Sequence, residues 1–177
     1  MATPRIRQAT VDDVDAIARC WHTNYQDQQN VSTLPPALLE KRTLAAFAAR
    51  AAARVEHTVV ADGDGVVGFA VALPDGNEME QLFVDASARG GGAAGALLAA
   101  AEARLPGPTL FLVAVPENAR AIRFYEKHGW VRAGRVTYDA EVEAGVAFPL
   151  RLLRLEKTRA PPARSPIRES SVVAGSP

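Results

Sequence analysis

Residues 82–98 read Leu82-Phe83-Val84-Asp85-Ala86-Ser87-Ala88-Arg89-Gly90-Gly91-Gly92-Ala93-Ala94-Gly95-Ala96-Leu97-Leu98. An apolar run typical of a strand comes first, and a short turn then leads to an arginine, three glycines and a run of helix formers. Each glycine in the first turn of a helix costs roughly 1 kcal/mol relative to alanine, so three in succession need a physical reason. Without side chains, the backbone N–H groups at a helix N-terminus are open to an anion, and the helix dipole favours negative charge there.

Arg89 strengthens this interpretation, because a guanidinium adds a fixed cation whose geometry suits phosphate. We therefore interpret Arg89-Gly90-Gly91-Gly92 as a phosphate-binding loop. The alternative is a flexible glycine loop before a surface helix, and the glycines by themselves do not separate the two. The sequence on either side of the glycines is needed to choose between a phosphate-binding loop and a flexible loop.

The composition is that of an ordinary globular chain. Its 177 residues are 48% hydrophobic and 23% charged, which suffices for one domain with a substantial core. Lys and Arg number 20 and Asp and Glu number 20, so neither nucleic acid nor a membrane is expected as a partner. The single cysteine, Cys20, excludes an internal disulfide and disfavours a zinc–thiolate site, so no metal is expected. No apolar stretch reaches the roughly 20 residues of a membrane span, and no signal-peptide pattern precedes the domain. We therefore expect a cytoplasmic location.

The N-terminal third predicts one strand and two helices. Ile6 lies in a short strand, and Thr10 followed by Asp13 forms a plausible capping box. Helix one then has apolar residues at helical spacing, namely Val11, Val14, Ile17, Ala18 and Trp21. Pro35-Pro36 suits the start of helix two, which we expect to continue through the alanine-rich run that ends at Ala53.

Residues 57–84 predict an antiparallel meander of three strands. The strands are 57–61, 66–73 and 78–84, and turn signals separate them at 62–65 and 74–77. Alternation in the third strand puts its side chains on two faces. Met79, Gln81 and Phe83 are expected on one face, and Glu78, Glu80, Leu82 and Val84 on the other.

The second half predicts helix three from the glycines to about Arg104 and a central apolar strand over 109–115. Helix four is expected to begin at the N-cap Asn118 and to end at Gly129. Two closing strands follow, over 130–138 and 147–156. The fold class is therefore α+β (mixed α/β), with a mixed, mostly antiparallel sheet, about four helices and a central β-α-β crossover. We expect the domain to span residues 1–157 and a disordered tail to span 158–177.

Three phosphate-binding motifs compete for the glycine stretch. A P-loop needs Lys-Ser or Lys-Thr after its glycines, and Ala93-Ala94 stands there instead. The spacing of the dinucleotide-binding fingerprint is matched by Gly90, Gly92 and Gly95, and Glu117 stands where a ribose-binding acid would be expected. Residues 85–89 intervene between strand and glycines, however, and one strand–helix–strand unit is too little for a full dinucleotide fold. A dinucleotide-binding protein therefore stays the weaker alternative.

The chain resembles the GCN5-related N-acetyltransferase (GNAT) superfamily over about residues 6–156. The family signature Q/R-x-x-G-x-G/A is matched by Arg89-Gly90-Gly91-Gly92-Ala93-Ala94 after an apolar strand. A second segment, residues 118–130, is similar to the family's Asn-x-x-Ala-x-x-Phe-Tyr-x-x-x-Gly-Phe pattern, with Trp130 in place of the last phenylalanine. Both motifs occur in order within the matching β/α pattern, so we identify the chain as a member of this family.

The resemblance implies a site for acetyl-CoA between two splayed strands. The backbone near Leu82, Phe83 and Val84 would bond the pantetheine arm, and Asn118 would contact the same arm. The pyrophosphate would lie on Arg89, Gly90, Gly91, Gly92, Ala93 and Ala94. The family pattern makes Tyr125 the general acid for the thiolate and a contact of the cofactor, and a backbone N–H near Phe83 or Val84 could stabilise the oxyanion.

The acceptor amine needs a base, because a lysine-like amine with a pKa of about 10.4 is protonated at neutral pH. Glu80 is the predicted catalytic base, acting through a water, and Glu78 is its main rival and a candidate for substrate binding. Trp21 and Tyr25 on helix one are further candidates for the acceptor site, although Trp21 also fits the core.

We therefore predict an acyltransferase, namely an acetyl-CoA-dependent N-acetyltransferase that acts by direct attack in a ternary complex. Its expected partner is a small-molecule or peptide amine. Because family members are often dimers, the resemblance also allows a homodimer. A non-catalytic acyl-CoA-binding regulatory domain is the alternative from another class. The identity of the acceptor stays open at this point.

Overall fold

The structure, a computed structural model, describes residues 4–27, 34–143 and 146–159, with the backbone alone at 27 and at 141–143. Five α-helices lie in these ranges: α1 (Val14–Asp27), α2 (Pro36–Lys41), α3 (Leu44–Arg54), α4 (Ala93–Glu102) and α5 (Ala119–Lys127). The seven strands are β1 (Arg5–Gln8), β2 (Thr58–Gly63), β3 (Gly65–Leu73), β4 (Glu78–Val84), β5 (Thr109–Ala114), β6 (Val131–Glu143) and β7 (Val146–Thr158).

The strands form a single sheet in the order β1-β2-β3-β4-β5-β7-β6. Every neighbouring pair is antiparallel except β4 and β5, which are parallel and connected through α4. The predicted class, a mixed and mostly antiparallel sheet with a central β-α-β crossover, is confirmed. The predicted meander is β2-β3-β4, and the apolar strand β5 is central as expected.

Two apolar cores cover opposite faces of this sheet. Alternate residues of β2 and β3 point to opposite sides, so Val59 packs in one core and Val60 in the other. The first core is closed by α4 and α5 and contains Leu97 and Trp130. The second core is closed by α1 and α3, where Trp21 packs against Phe47, Phe69 and Phe83 with ring centroids 5.1, 5.3 and 6.3 Å away.

The predicted helix ends are largely confirmed. The Asp13 carboxylate accepts a hydrogen bond from the backbone N–H of Thr10 at 2.8 Å, and the Asn118 side chain accepts from the N–H of Ala121 at 3.1 Å. Gly129 follows α5 with a φ of 85°, as expected of a helix-terminating glycine. Val11 is a correction, because it lies in a 3-10 turn before α1 and is 74% exposed instead of joining the apolar face.

Helix two is a second correction, because it is two helices. α2 ends at Lys41, Arg42 leaves helical geometry with φ −88° and ψ 54°, and the Thr43 side chain caps α3 by accepting from the N–H of Ala46. A threonine inside a run of helix formers gives little warning of a break. The count rises from about four helices to five for this reason.

A β-bulge in β4 changes its predicted alternation. Gln81 pairs with Val71 and Met79 pairs with Ala72, so Glu80 is an extra residue opposite the gap between them. One extra residue inverts the order of faces beyond it. Met79 therefore packs in the core that Leu82 borders, and the prediction that it shares a face with Phe83 is wrong.

The C-terminal strand is longer than predicted. β7 ends at Thr158, and the backbone N–H of Arg159 donates to the carbonyl of Pro108 at 2.8 Å. The remainder of the predicted tail, 160–177, lies outside the described residues. Within the described part of the chain, no helix is long and apolar enough to cross a membrane.

Candidate functional site

The parallel strands β4 and β5 are paired at one end and part at the other. They share a single residue pair, Glu78 with Phe111, and the N–H of Phe111 donates to the carbonyl of Asn77 at 3.0 Å. Toward their carboxyl ends the two strands diverge around a cleft of about 430 Å³. Side chains from β4, β5, α5, β6 and the α1–α3 layer line it. The resemblance implied this splay, and the structure contains it.

The cleft brings together most of the side chains that sequence analysis selected. Those lining it are Trp21, Tyr25, Glu78, Glu80, Leu82, Phe83, Asn118 and Tyr125. The others predicted for cofactor binding are absent from its lining, namely Val84, Arg89, Gly90, Gly91, Gly92, Ala93 and Ala94. Val84 is the last residue of β4, and the others form the turn after it and the first residues of α4.

Asn118 and Tyr125 both line the cleft, as their separation of two helical turns on α5 predicts. Tyr125 is buried between two aromatic neighbours, with ring centroids 5.4 Å from Phe124 and 6.1 Å from Trp130. Burial raises the pKa of its hydroxyl above the ordinary value. The phenol therefore stays protonated at neutral pH, which is the state that a proton donor needs.

The two strand carboxylates are in different environments. Glu80 lies between two arginines of α3, with ion-pair distances of 3.5 Å to Arg50 and 3.2 Å to Arg54, and its side chain is 5% exposed. Glu78 instead accepts a hydrogen bond from the Tyr138 hydroxyl at 3.2 Å. Burial, and secondly the charge of Glu80, raise the pKa of Glu78 above the ordinary glutamate value. A carboxylate with a raised pKa takes up a proton more readily.

The glycine stretch begins α4 with two left-handed residues. Gly90 has a φ of 81° and Gly92, the residue before the first helical turn, a φ of 85°. A Cβ built on either residue would meet no atom within 4 Å, so glycine is required here for backbone conformation and not for packing. The space in front of the helix N-terminus is open, which suits an anion.

Arg89 is held against α1 by a buried amide that sequence analysis missed. It donates to the Asn24 side-chain oxygen at 2.8 Å and to the Val84 carbonyl at 3.2 Å. Asn24 is 4% exposed, and its amide nitrogen donates to the Asp85 carboxylate and to the Cys20 carbonyl, both at 2.9 Å. Its position on the buried stripe of α1, one turn after Cys20, is the signal that could have identified it.

We expect Asn24→Ala to lower the free energy of unfolding by about 1–3 kcal/mol, because it removes the hydrogen bonds that a buried side chain makes with Arg89, Asp85 and Cys20. Chemical denaturation measures this change. Gln26→Ala on the exposed side of α1 is the matched control and should change stability by less than about 0.5 kcal/mol. Equal midpoints for the two variants would contradict the structural role of Asn24.

Sequence analysis also missed the polar side chains opposite β4. Arg42, Arg50, Arg54 and Tyr138 all line the cleft. Arg50 and Arg54 are four residues apart on α3 and so lie on one helix face, which is a weak signal for a shared partner. Arg42 and Tyr138 approach β4 only through tertiary packing, and no local pattern indicates them.

The fold and the cleft define a class: an α+β protein whose central sheet is split between two parallel strands beside a glycine-rich helix N-terminus. Residues 54–132 match the family model of the acetyltransferase (GNAT) domain. This segment is a GNAT domain, and the resemblance found in the sequence is confirmed. It contains both strand carboxylates, the glycine stretch, Asn118 and Tyr125. The match of this segment to the acetyltransferase domain implies acyl transfer from acyl-CoA.

Solved structures agree with this assignment. A GCN5-related N-acetyltransferase from Rhodopseudomonas palustris is 25% identical, with a TM-score of 0.66 over 90% of this chain and 98% of that one. YjaB from Escherichia coli is 23% identical, with a TM-score of 0.62 over 90% and 100%. A ribosomal-protein-alanine N-acetyltransferase from Brucella melitensis is 22% identical, with a TM-score of 0.61 over 88% and 99%. The last two likenesses concern the fold alone. Among curated proteins, no sequence matches the chain.

Proposed function

We propose that the protein is an N-acetyltransferase that moves the acetyl group of acetyl-CoA to a primary amine by direct attack in a ternary complex. The observation that carries this proposal is that Tyr125 and Glu78 line one cleft at the split of the sheet. One is a phenol kept protonated by burial, and the other is a carboxylate whose pKa is raised. A proton donor and a proton acceptor are what amine acylation requires.

The residues present fit acetyl-CoA as cosubstrate. The strands part where Leu82 and Phe83 line the cleft, which leaves backbone groups for an amide-rich arm. Val84 continues this edge toward the turn. The open N-terminus of α4, with the N–H groups from Gly90 to Ala94, would hold the pyrophosphate, with Arg89 as a nearby cation. When bound, acetyl-CoA supplies an activated acyl thioester.

Side-chain groups of the protein would then accept and donate the protons of the reaction. A carboxylate on β4 accepts a proton from the ammonium group of the acceptor, directly or through a water, and the resulting free amine is the nucleophile. A backbone N–H near Phe83 or Val84 would donate to the developing oxyanion. Tyr125 donates its hydroxyl proton to the departing sulfur. Asn118 caps α5 with its side-chain oxygen, so its predicted contact with the pantetheine arm is an addition to this structural role.

The choice between the two carboxylates favours Glu78 as the base. Glu80, the base predicted from the sequence, forms ion pairs with Arg50 and Arg54. Each carboxylate oxygen of Glu80 therefore already faces a guanidinium group. Glu78 has a neutral hydrogen-bond partner, Tyr138, and a raised pKa. We therefore propose that Glu78 accepts the proton and that Glu80 positions the arginines.

We expect Glu78→Gln to lower kcat for an alkylamine by about 100-fold, which is within the range for loss of a general base. The base works only when deprotonated, and its pKa is raised. Wild-type kcat should therefore fall as the pH drops through a value above the ordinary glutamate range, and this acidic limb should be missing in the variant. Measuring free CoA release from about pH 5 to about pH 9 tests both expectations.

Glu80→Gln is the matched control, because it changes a carboxylate two residues away on the same strand. It should lower the free energy of unfolding by about 1–3 kcal/mol, since two arginines lose a charged partner, yet keep the acidic limb. If the acidic limb of the pH dependence of kcat is lost in Glu80→Gln but kept in Glu78→Gln, Glu80 is the base and the proposed role of Glu78 is wrong. Binding of acetyl-CoA without acetylation of any amine would support the non-catalytic alternative.

A further inference from the structure

The wall of the cleft opposite β4 contains three arginines. Arg50 and Arg54 share the Glu80 carboxylate, at 3.5 and 3.2 Å. Arg42 lines the same cleft and forms no salt bridge with any residue that the structure describes. The charge of Arg50 acts on Arg42 as a repulsion. The Glu80 carboxylate of β4 acts on Arg42 through its charge, but it already forms ion pairs with Arg50 and Arg54.

Arg42 is held in place by aromatic packing. It follows α2 directly, and its guanidinium carbon lies 5.7 Å from the ring centroid of Tyr25 and 5.9 Å from that of Phe47. Its Nε atom and the Tyr25 hydroxyl are both enclosed, and neither has a hydrogen-bond partner within 3.5 Å among the described residues. The two side chains interact with each other electrostatically at longer range. Burial, and then Arg50, lower the pKa of Arg42. A half-buried guanidinium without a counterion is unfavourable unless a ligand supplies one.

We propose that Arg42 and Tyr25 bind a carboxylate of the acceptor, so that the acceptor is a small amine that also carries a carboxylate group. The inference rests on the proposed function and names its substrate class. The cleft has a negative pole at Glu78, suited to the ammonium, and a positive pole at Arg42, suited to the carboxylate. A planar guanidinium matches a carboxylate with two parallel hydrogen bonds.

The position of Arg42 separates the proposed carboxylate site from the proposed site for coenzyme A. Arg42 lies between α2 and α3, on the wall that faces β4 and β6. The glycine stretch at the start of α4 is absent from the lining of the cleft. The carboxylate of the acceptor and the pyrophosphate of coenzyme A would therefore have separate binding regions, the first cationic and the second rich in N–H groups. Arg42 also lies outside residues 54–132, so the family match says nothing of its role.

Calorimetry on the full chain saturated with CoA tests the proposal. The probes are linear amino acids from glycine to 6-aminohexanoate, each compared with the alkylamine of the same length that lacks the carboxylate. At the best chain length we expect the carboxylate to tighten binding at least tenfold in the wild type. Arg42→Met should abolish this preference, and Arg42→Lys, which keeps the charge without the planar fork, should retain part of it.

Arg135→Met on an exposed part of β6 is the matched control and should keep the full preference. We expect Arg42→Met to unfold at the same or a higher denaturant concentration than the wild type, because it removes a half-buried charge that forms no salt bridge among the described residues and keeps an apolar side chain beside the Tyr25 and Phe47 rings. Weaker binding could then not be attributed to misfolding. Equal affinity for amines with and without a carboxylate, or a preference that survives Arg42→Met, would overturn the proposal.

The same series assayed for CoA release separates this inference from the proposed function. Acetylation of every amine regardless of its carboxylate would support the N-acetyltransferase and overturn the carboxylate site. An Arg42-dependent binding preference with no acetylation of any member would support the carboxylate site and contradict the proposed function. Acetylation that follows the carboxylate and is lost in Arg42→Met supports both.

Discussion

Tyr125→Phe is expected to lower kcat for acetyl transfer by about 100- to 10,000-fold, the range for loss of a general acid. The ring, which packs against Phe124 and Trp130, is retained, so the fold and the Kd for CoA should be nearly unchanged. The hydroxyl is the only group removed, and burial keeps it protonated at neutral pH. Steady-state kinetics with acetyl-CoA and an amine, together with CoA titration, measure the two quantities separately.

The pH dependence gives this prediction a second readout. An acid works only when protonated, and the pKa of Tyr125 is raised, so wild-type kcat should be retained well above neutral pH and fall only beyond the ordinary tyrosine range. Tyr125→Phe should lack that alkaline limb. A kcat within a factor of about three of wild type would show that the sulfur leaves without this proton.

Tyr138→Phe is the matched comparison, since it removes another hydroxyl from the same cleft. The Tyr138 hydroxyl donates to Glu78, and this hydrogen bond lowers the pKa of Glu78 against the larger effect of burial. Its loss should move the acidic limb to higher pH and leave the alkaline limb in place. The two tyrosines therefore affect opposite ends of the pH profile if their roles are as proposed.

The sequence predicted those parts of the fold that depend on local chemistry. Thr10 with Asp13, Asn118 and Gly129 specify helix ends through their own side chains or through a left-handed backbone, and each lies where expected. The turns of the meander are equally local. The divergence of β4 and β5, in contrast, was predicted from the family resemblance and not from any residue pattern.

The features that sequence analysis missed depend on tertiary packing. The bulge at Glu80 adds a residue that alternation cannot reveal, and the break at Arg42 occurs without glycine or proline. Asn24 binds Asp85 and Arg89 across the layer between α1 and the sheet, 61 and 65 residues away in sequence. Such contacts exist only once two cores have formed on opposite faces of the sheet.

The choice of catalytic base shows how dependence on tertiary packing limits the prediction of the candidate site. Glu78 and Glu80 look alike in sequence, since both are acids on the strand that leads to the glycines. Their difference comes from partners on other elements: α3 supplies arginines to Glu80, whereas β6 supplies a hydroxyl to Glu78. A sequence can therefore place two carboxylates in a cleft without indicating which one has the proton affinity of a base.

Gly92→Val is expected to weaken CoA binding by at least about 100-fold, which corresponds to about 2.7 kcal/mol. Gly92 has a φ of 85°, and a β-branched residue rarely adopts that conformation, so the turn before α4 must rearrange. The new side chain would also stand before the first N–H groups of the helix, where the pyrophosphate is proposed to lie. Titration of the protein with CoA measures the loss.

Gly65→Val separates backbone strain from the loss of an anion site. Gly65 has a φ of 104° in the turn between β2 and β3, and a Cβ there meets no atom within 4 Å, just as at Gly92. Both variants should therefore lose a similar amount of stability, about 1–3 kcal/mol. Only Gly92→Val should lose affinity for CoA, because only Gly92 lies at a helix N-terminus. If the two variants bind CoA equally well, the three glycines are a flexible connection and not a phosphate site.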